Sequence, residues 1–272
     1  MNRKSIGVFD SGLGGLTAVR ELKRCLPHEN IIYFGDTGRV PYGTRGFQTI
    51  IKYARQDIHF LSTFPIKAIL IACGTASSIA LPALEPELQL PTLGVIGTTV
   101  DYALRATRTH RIGVIGTQGT ISSGAYEREL KRLDPQAQIV SNACPLFVPL
   151  VENGRCKLGD PVPRLVAEEY LAPIQEFGVD TLILGCTHYP LLREVIGQIM
   201  GSEVTLIDAG YAGSHSLKRY LTQHEMLSQR QEPGSVSYYV SDDVAGFSQL
   251  ASVFLGEQVE DTDVQKIDIE RY

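Results

Sequence analysis

Thr181–His188 reads TLILGCTH, and Ala68–Thr75 reads AILIACGT. Each is a short, unbroken apolar run that stops at a cysteine and passes into small and hydroxyl-bearing residues. A strand with one face in water alternates apolar and polar residues, whereas a parallel strand buried on both faces reads as a continuous Val/Ile/Leu run. These two stretches are therefore read as buried parallel strands. The pattern recurs along the chain, predicting strands at Ser5–Asp10, Asn30–Asp36, Lys67–Cys73, Thr92–Gly97, Arg111–Thr117, Gln138–Ala143, Thr181–Cys186 and Glu203–Asp208. Helical periodicity fills the intervals, as at Phe47–Thr63, Ser123–Leu133, Pro163–Phe177 and Leu191–Met200. Strand–helix alternation of this kind predicts an α/β architecture with doubly wound parallel sheets and right-handed crossovers.

The chain also reads as two similar units. IGVFDSGLGG begins at Ile6 and IGVIGTQGT at Ile112, each a strand running into a glycine turn, and each is followed later by one of the cysteine-ending strands. A duplication gives this pattern, and so do two unrelated flavodoxin-like halves. Two flavodoxin-like domains related by pseudo-symmetry are expected. The division is placed at residues 1–97 plus 204–272 for the first lobe and 98–203 for the second. The tail opens with VTLID and is expected to return to the first lobe, with Leu227–Ser235 as an exposed loop.

Composition narrows the function. The chain has 272 residues, 43% of them hydrophobic, and a net charge of −5. No basic excess points to nucleic acid. No run of about 18 apolar residues predicts a membrane span. The opening MNRKSIGVFD lacks the long apolar stretch and cleavage site of a signal peptide. Five cysteines, an odd count with no CxxC pair, argue against a disulfide framework or a zinc site and favour a reducing, cytoplasmic setting. No metal is expected.

Ligands of parallel α/β sheets bind beyond the carboxyl ends of the strands. The residues placed there are Asp10-Ser11-Gly12, Gly35-Asp36-Thr37 continuing to Pro41-Tyr42-Gly43, Cys73-Gly74-Thr75, and Cys186-Thr187-His188-Tyr189. The loop DSGLGG matches a dinucleotide fingerprint poorly, and Asp10 would repel a phosphate. Glycine amides at a helix start suit a carboxylate better, and a tight turn needs no ligand at all. A free cysteine is most often a small buried hydrophobe, which is how Cys25, Cys144 and Cys156 are read. Two cysteines at matching strand ends are harder to explain that way, because a helix N-terminus favours thiolate. A cysteine nucleophile with His188 as its base would leave Cys73 unexplained.

At these residues the chain resembles the glutamate racemases, within the cofactor-independent aspartate/glutamate racemase superfamily. The matching stretches are FDSGLGGLTAVREL at Phe9–Leu22, GDTGRVPYGTR at Gly35–Arg45, ACGTAS at Ala72–Ser77 and LGCTHYPLL at Leu184–Leu192. Shorter ones are VPLVENG at Val148–Gly154 and LIDAG at Leu206–Gly210. The resemblance implies that Cys73 and Cys186 are the acid/base pair, with Asp10 near the first and Glu152 and His188 near the second. It implies that the two domains face each other with the active site between them, and that Asp10, Ser11, Tyr42, Gly43, Gly74, Thr75, Thr187 and His188 contact the substrate. It further implies glutamate as substrate, D-glutamate supply for peptidoglycan, and a homodimer. One position departs: the family usually reads CNTAS, whereas Gly74 here has no side-chain amide. That keeps an aspartate racemase or another superfamily member open as an alternative, and a non-catalytic two-lobed binding module is the remote one.

The chemistry needs such a pair. Racemisation removes an α-hydrogen from one face and returns a proton to the other, which two fixed groups do without moving. No lysine stands at these strand ends to hold pyridoxal phosphate, so no cofactor is expected, and preorganised donors around the α-carboxylate must stabilise the carbanion.

Overall fold

The structure is a computed structural model that describes residues 4–272. Met1–Arg3, the first residues of the stretch read as lacking a signal-peptide pattern, lie outside the described residues. The strands are β1 (Ser5–Asp10), β2 (Ile31–Gly35), β3 (Ile66–Ile71), β4 (Thr92–Gly94), β5 (Arg111–Gly116), β6 (Gln138–Ala143), β7 (Thr181–Leu184), β8 (Thr205–Asp208), β9 (Val236–Val240) and β10 (Val264–Lys266). They form a six-stranded sheet in the order β10-β9-β2-β1-β3-β4 and a four-stranded sheet in the order β6-β5-β7-β8. Every pairing is parallel. All residues of β1, β3 and β7 are buried, as their continuous apolar runs require.

The order β2-β1-β3-β4 in one sheet matches β6-β5-β7-β8 in the other. In each, the chain winds one way from β1 or β5 and the other way from β3 or β7, which opens a crevice at the carboxyl ends of those two central strands. Register makes the match residue by residue. Phe9 pairs with Ile71, and Ile115 pairs with Leu184. Cys73 and Cys186 each stand two residues beyond those partners. Ser11 and Thr117 do the same on the neighbouring strands.

Three readings are corrected. Thr205–Asp208 was expected to open the return to the first lobe, but it pairs with β7 and closes the second sheet, because Ile207 packs with Val114 and Ile183 in that lobe's core. The return is made by the helix Ala209–Gln223, whose Ser214 hydroxyl donates to the Ala18 carbonyl at 3.2 Å. The expected strand Thr92–Gly97 stops at Gly94, since Val95 starts a helix and donates its N–H to Ser77 Oγ at 3.1 Å. Leu227–Ser235 is a loop but a tethered one. The buried Lys67–Glu29 pair, 2.5 Å apart, takes the Met226 carbonyl on Lys67 and the Ser228 N–H on Glu29. Beyond it, β9 and β10 extend the first sheet from β2. Among the described residues, no helix is long and apolar enough to cross a membrane.

Candidate active site

Between the two crevices lies a cavity of about 350 Å³, lined from one side by Ser11, Tyr42, Gly43, Cys73, Gly74 and Thr75 and from the other by Thr117, Gln118, Glu152, Cys186, Thr187 and His188. Every residue expected at the site lines it except Asp10, which is buried behind the wall.

On the first side, β3 ends and Cys73 caps the short helix Gly74–Ile79, its sulfur accepting the Ala76 N–H at 3.5 Å. Ser11 Oγ lies 3.3 Å from Cys73 Sγ. Burial pushes the Cys73 thiol up to about 12, and the neighbouring Asp10 adds to the rise. Asp10 accepts the Gly12 N–H at 3.0 Å and the Thr187 hydroxyl at 3.4 Å. Burial also raises the Asp10 carboxyl, against the pull of His188 and the Gly15 and Gly12 amides.

The second side is built differently. Gly116, at the end of β5, stands where Asp10 stands on β1, so no carboxylate sits behind Cys186 in the equivalent place. Instead Cys186 Sγ lies 4.0 Å from His188 Nδ1, and His188 Nε2 lies 2.9 Å from Glu152 Oε1. Glu152 ends the helix Phe147–Glu152. Burial pulls the His188 pKa down, but the hydrogen bonds to Cys186 and Glu152 outweigh it and hold the value at about 10. His188 is thereby held toward its protonated form. Glu152→Gln removes one of the groups that raise it, so the His188 ring resonances in an NMR titration should move through their midpoint at a lower pH than in the wild-type chain. An unchanged midpoint would mean that Glu152 does not control this histidine.

The wall contains residues that sequence reading missed. Thr117 Oγ1 lies 2.9 Å from Thr75 Oγ1 and 3.0 Å from Thr120 Oγ1, a hydroxyl cluster joining the two sides. Its signal was present, because Thr117 occupies in the second unit the place of Ser11 in the first. Behind the wall, Phe254, from the helix Val244–Leu255, packs edge-on against His188 with ring centroids 5.2 Å apart. It lies in the tail, where no motif pointed. Tyr42 differs from expectation in detail: its hydroxyl is held by Asp36 and Asp57, so it is not free for a substrate. Gly14 is fixed by space. A Cβ there would lie under 3.0 Å from the Thr187 hydroxyl and the His188 ring.

Chemically, the arrangement sets two buried thiols in equivalent places on facing sides of one largely apolar cavity, one beside the Asp10 carboxyl and one beside the His188 ring. The Asp/Glu/hydantoin racemase family model matches residues 15–216. The chain is 46% identical over 258 residues to a glutamate racemase of Geobacter metallireducens, covering 95% of each. Its structure is similar to that of a glutamate racemase isoform from Bacillus anthracis, with a TM-score of 0.92 at 37% identity over 98% of both chains. It is likewise similar to the Francisella tularensis glutamate racemase solved with D-glutamate, with a TM-score of 0.91 at 37% identity over 100% of both chains. A cavity with a thiol on either wall, and these matches along almost the whole length, lead to one conclusion: the chain belongs to the Asp/Glu/hydantoin racemase family.

Proposed function

We propose that the chain interconverts L- and D-glutamate without a cofactor, using Cys73 and Cys186 as the acid/base pair. The observation that carries this is the placement of both cysteines at topologically equivalent strand ends on one cavity. The sulfur facing the α-hydrogen acts as thiolate and takes it as a proton, leaving its electron pair on the α-carbon. The opposite thiol delivers its own proton to the other face. The two sulfurs thereby exchange protonation states, and the reverse reaction exchanges them back.

The two walls have different means of supporting this cycle. On one wall the His188 ring stands 4.0 Å from the Cys186 sulfur, placed to exchange a proton with it, and Glu152 holds the ring. On the other wall burial and Asp10 keep the Cys73 thiol protonated, so that sulfur holds the proton to be delivered. The carbanion is stabilised through the α-carboxylate by hydroxyls and peptide N–H groups around Thr75 and Thr187, fixed before the substrate arrives. Closing the lobes over the substrate excludes water and strengthens these contacts.

We take the lobes to divide near residue 97 and, at the second crossing, in the helix Ala209–Gln223 that follows the last strand of the second sheet. We take the enzyme to be a cytoplasmic homodimer supplying D-glutamate for peptidoglycan.

Gly74 favours a second reading, racemisation of aspartate or another amino acid, because the side-chain amide usual at this position is absent. Incubating L-glutamate and L-aspartate separately in D2O and following the α-hydrogen by NMR tests both. Glutamate should lose its α-hydrogen as the D-enantiomer appears, and aspartate, one methylene shorter, should react about a hundredfold more slowly. Faster exchange of aspartate would overturn the glutamate reading.

A further inference from the structure

The Thr187 carbonyl lacks the partner that its neighbours have. Residues 186–191 turn with 3-10 spacing, in which each carbonyl accepts the N–H three residues on. The Cys186 carbonyl takes the Tyr189 N–H and the His188 carbonyl takes the Leu191 N–H, both at 3.1 Å. The Thr187 carbonyl, between them, would pair with residue 190, a proline with no N–H. Thr187 is buried, and a buried carbonyl without a donor is costly. Its donor comes from the other lobe. Thr17, in the first turn of the helix Leu16–Cys25, has its hydroxyl 3.2 Å from the Thr187 carbonyl. The same hydroxyl lies 2.8 Å from the Gly14 carbonyl, so one proton serves two acceptors. The Gly14 carbonyl already receives the Thr17 N–H at 3.0 Å, whereas among the described residues the Thr187 carbonyl has no other donor.

We propose that Thr17 is a positioning residue whose hydroxyl latches the Cys186-Thr187-His188 turn to the opposite lobe and so sets where the Cys186 sulfur stands. The proposal rests on the two-thiol reading above. Two other contacts join the same turn to the first lobe. The Thr187 hydroxyl donates to Asp10 at 3.4 Å, and Gly14 has no room for a Cβ against that hydroxyl and the His188 ring. Thr17 does not line the cavity, so it acts through the turn and not on the substrate. Without its hydroxyl the Thr187 peptide turns toward another donor, and Cys186 and His188, on either side of it, shift as well. The loss falls on proton transfer at Cys186, because Cys73 keeps its own setting beside Ser11.

The test is the kinetics of Thr17→Val, which keeps the shape and loses the hydroxyl, beside Thr17→Ser, which keeps the hydroxyl. Both are assayed with L- and D-glutamate, each carrying hydrogen or deuterium at the α-carbon. Thr17→Val should lower kcat/KM about tenfold, the rate equivalent of one lost hydrogen bond, and Thr17→Ser should stay near the wild-type value. The deuterium isotope effect separates the two thiols. It should rise for the enantiomer whose α-hydrogen Cys186 takes, the one that Cys73→Ala can still exchange, and fall for the other. Wild-type kcat/KM in Thr17→Val, a serine variant as slow as the valine one, or isotope effects that move together for both enantiomers would overturn the latch. If Thr17→Val does not fold, a crystal structure of the wild-type chain with D-glutamate decides. The Thr17 hydroxyl within hydrogen-bond distance of the Thr187 carbonyl supports the latch, and a parted pair overturns it. A wild-type chain that turns over no glutamate would count against the functional reading alone. The latch is then read from crystals of Thr17→Val, where a Thr187 carbonyl displaced from its wild-type place supports it and an unmoved one overturns it.

Discussion

Cys73→Ala and Cys186→Ala each lose racemisation in both directions, with kcat down by at least about a thousandfold, the upper part of the range for a positioned acid or base. Each thiol is the proton-transfer group of its own wall. Ser11, 3.3 Å from Cys73 Sγ, is an alcohol and far too weak an acid to replace it. His188 contacts Cys186 but stands behind it, tied to Glu152. The loss should appear with little change in melting temperature, because both cysteines line an existing cavity and removing so small a side chain only enlarges it slightly. Serine should rescue neither position. A polarimetric assay of L- and D-glutamate is sufficient, and either alanine variant keeping a tenth of wild-type kcat would exclude an essential role for that thiol.

Arg39→Ala should cause the largest loss of stability. Asp36 and Asp57 are fully buried and share one guanidinium, with Nε 2.7 Å from Asp36 and Nη2 3.0 Å from Asp57. The Tyr42 hydroxyl binds the same two carboxylates. Burial and the charge of Asp36 push Asp57 well above the ordinary carboxylate range even with Arg39 present. Without Arg39, two carboxyl groups face each other with no cation, which costs about 3–5 kcal/mol and lowers the melting point by roughly 10 °C. The sign with pH follows from the raised carboxyl. It holds a proton in the folded chain at a pH where the unfolded chain has lost it, so lowering the pH favours folding. The deficit against wild type should therefore narrow in acid, as urea unfolding at two pH values would show. Tyr42 and Gly43 line the cavity on the loop this cluster holds, so KM should rise as well. A deficit that widens in acid would contradict this account of the cluster.

β1, β2, β3, β5 and β7 were legible because burial along nearly their whole length leaves an apolar run, whereas β4, β6 and β8 are partly exposed and were read from shorter apolar stretches between helices. β9 reads VSYYV and is only half-buried along much of its length, and β10 is three residues with two of them exposed. Neither carries that signature. The membership of β8 was illegible for a different reason: sequence shows a strand but not its neighbour. The cavity residues were legible through the rule that ligands sit at strand ends, and Thr117 was within reach of it. Asp57 was not. It lies inside a helix, and nothing local says that its partners are Asp36, Arg39 and Tyr42. Gly74 was visible as a departure from the family pattern, but its neighbour across the cleft, the Gly185 carbonyl, is more than a hundred residues away in the chain and was not.

The central claim is that Cys73 and Cys186 face one α-carbon from opposite sides. Its most direct measurement is α-hydrogen exchange in D2O by each single-alanine variant, with L- and D-glutamate supplied separately. Each variant keeps one thiol and should wash out the α-hydrogen of one enantiomer only. The account predicts opposite enantiomers for Cys73→Ala and Cys186→Ala. If both variants exchange the same enantiomer, the two thiols act on one face and the account is wrong.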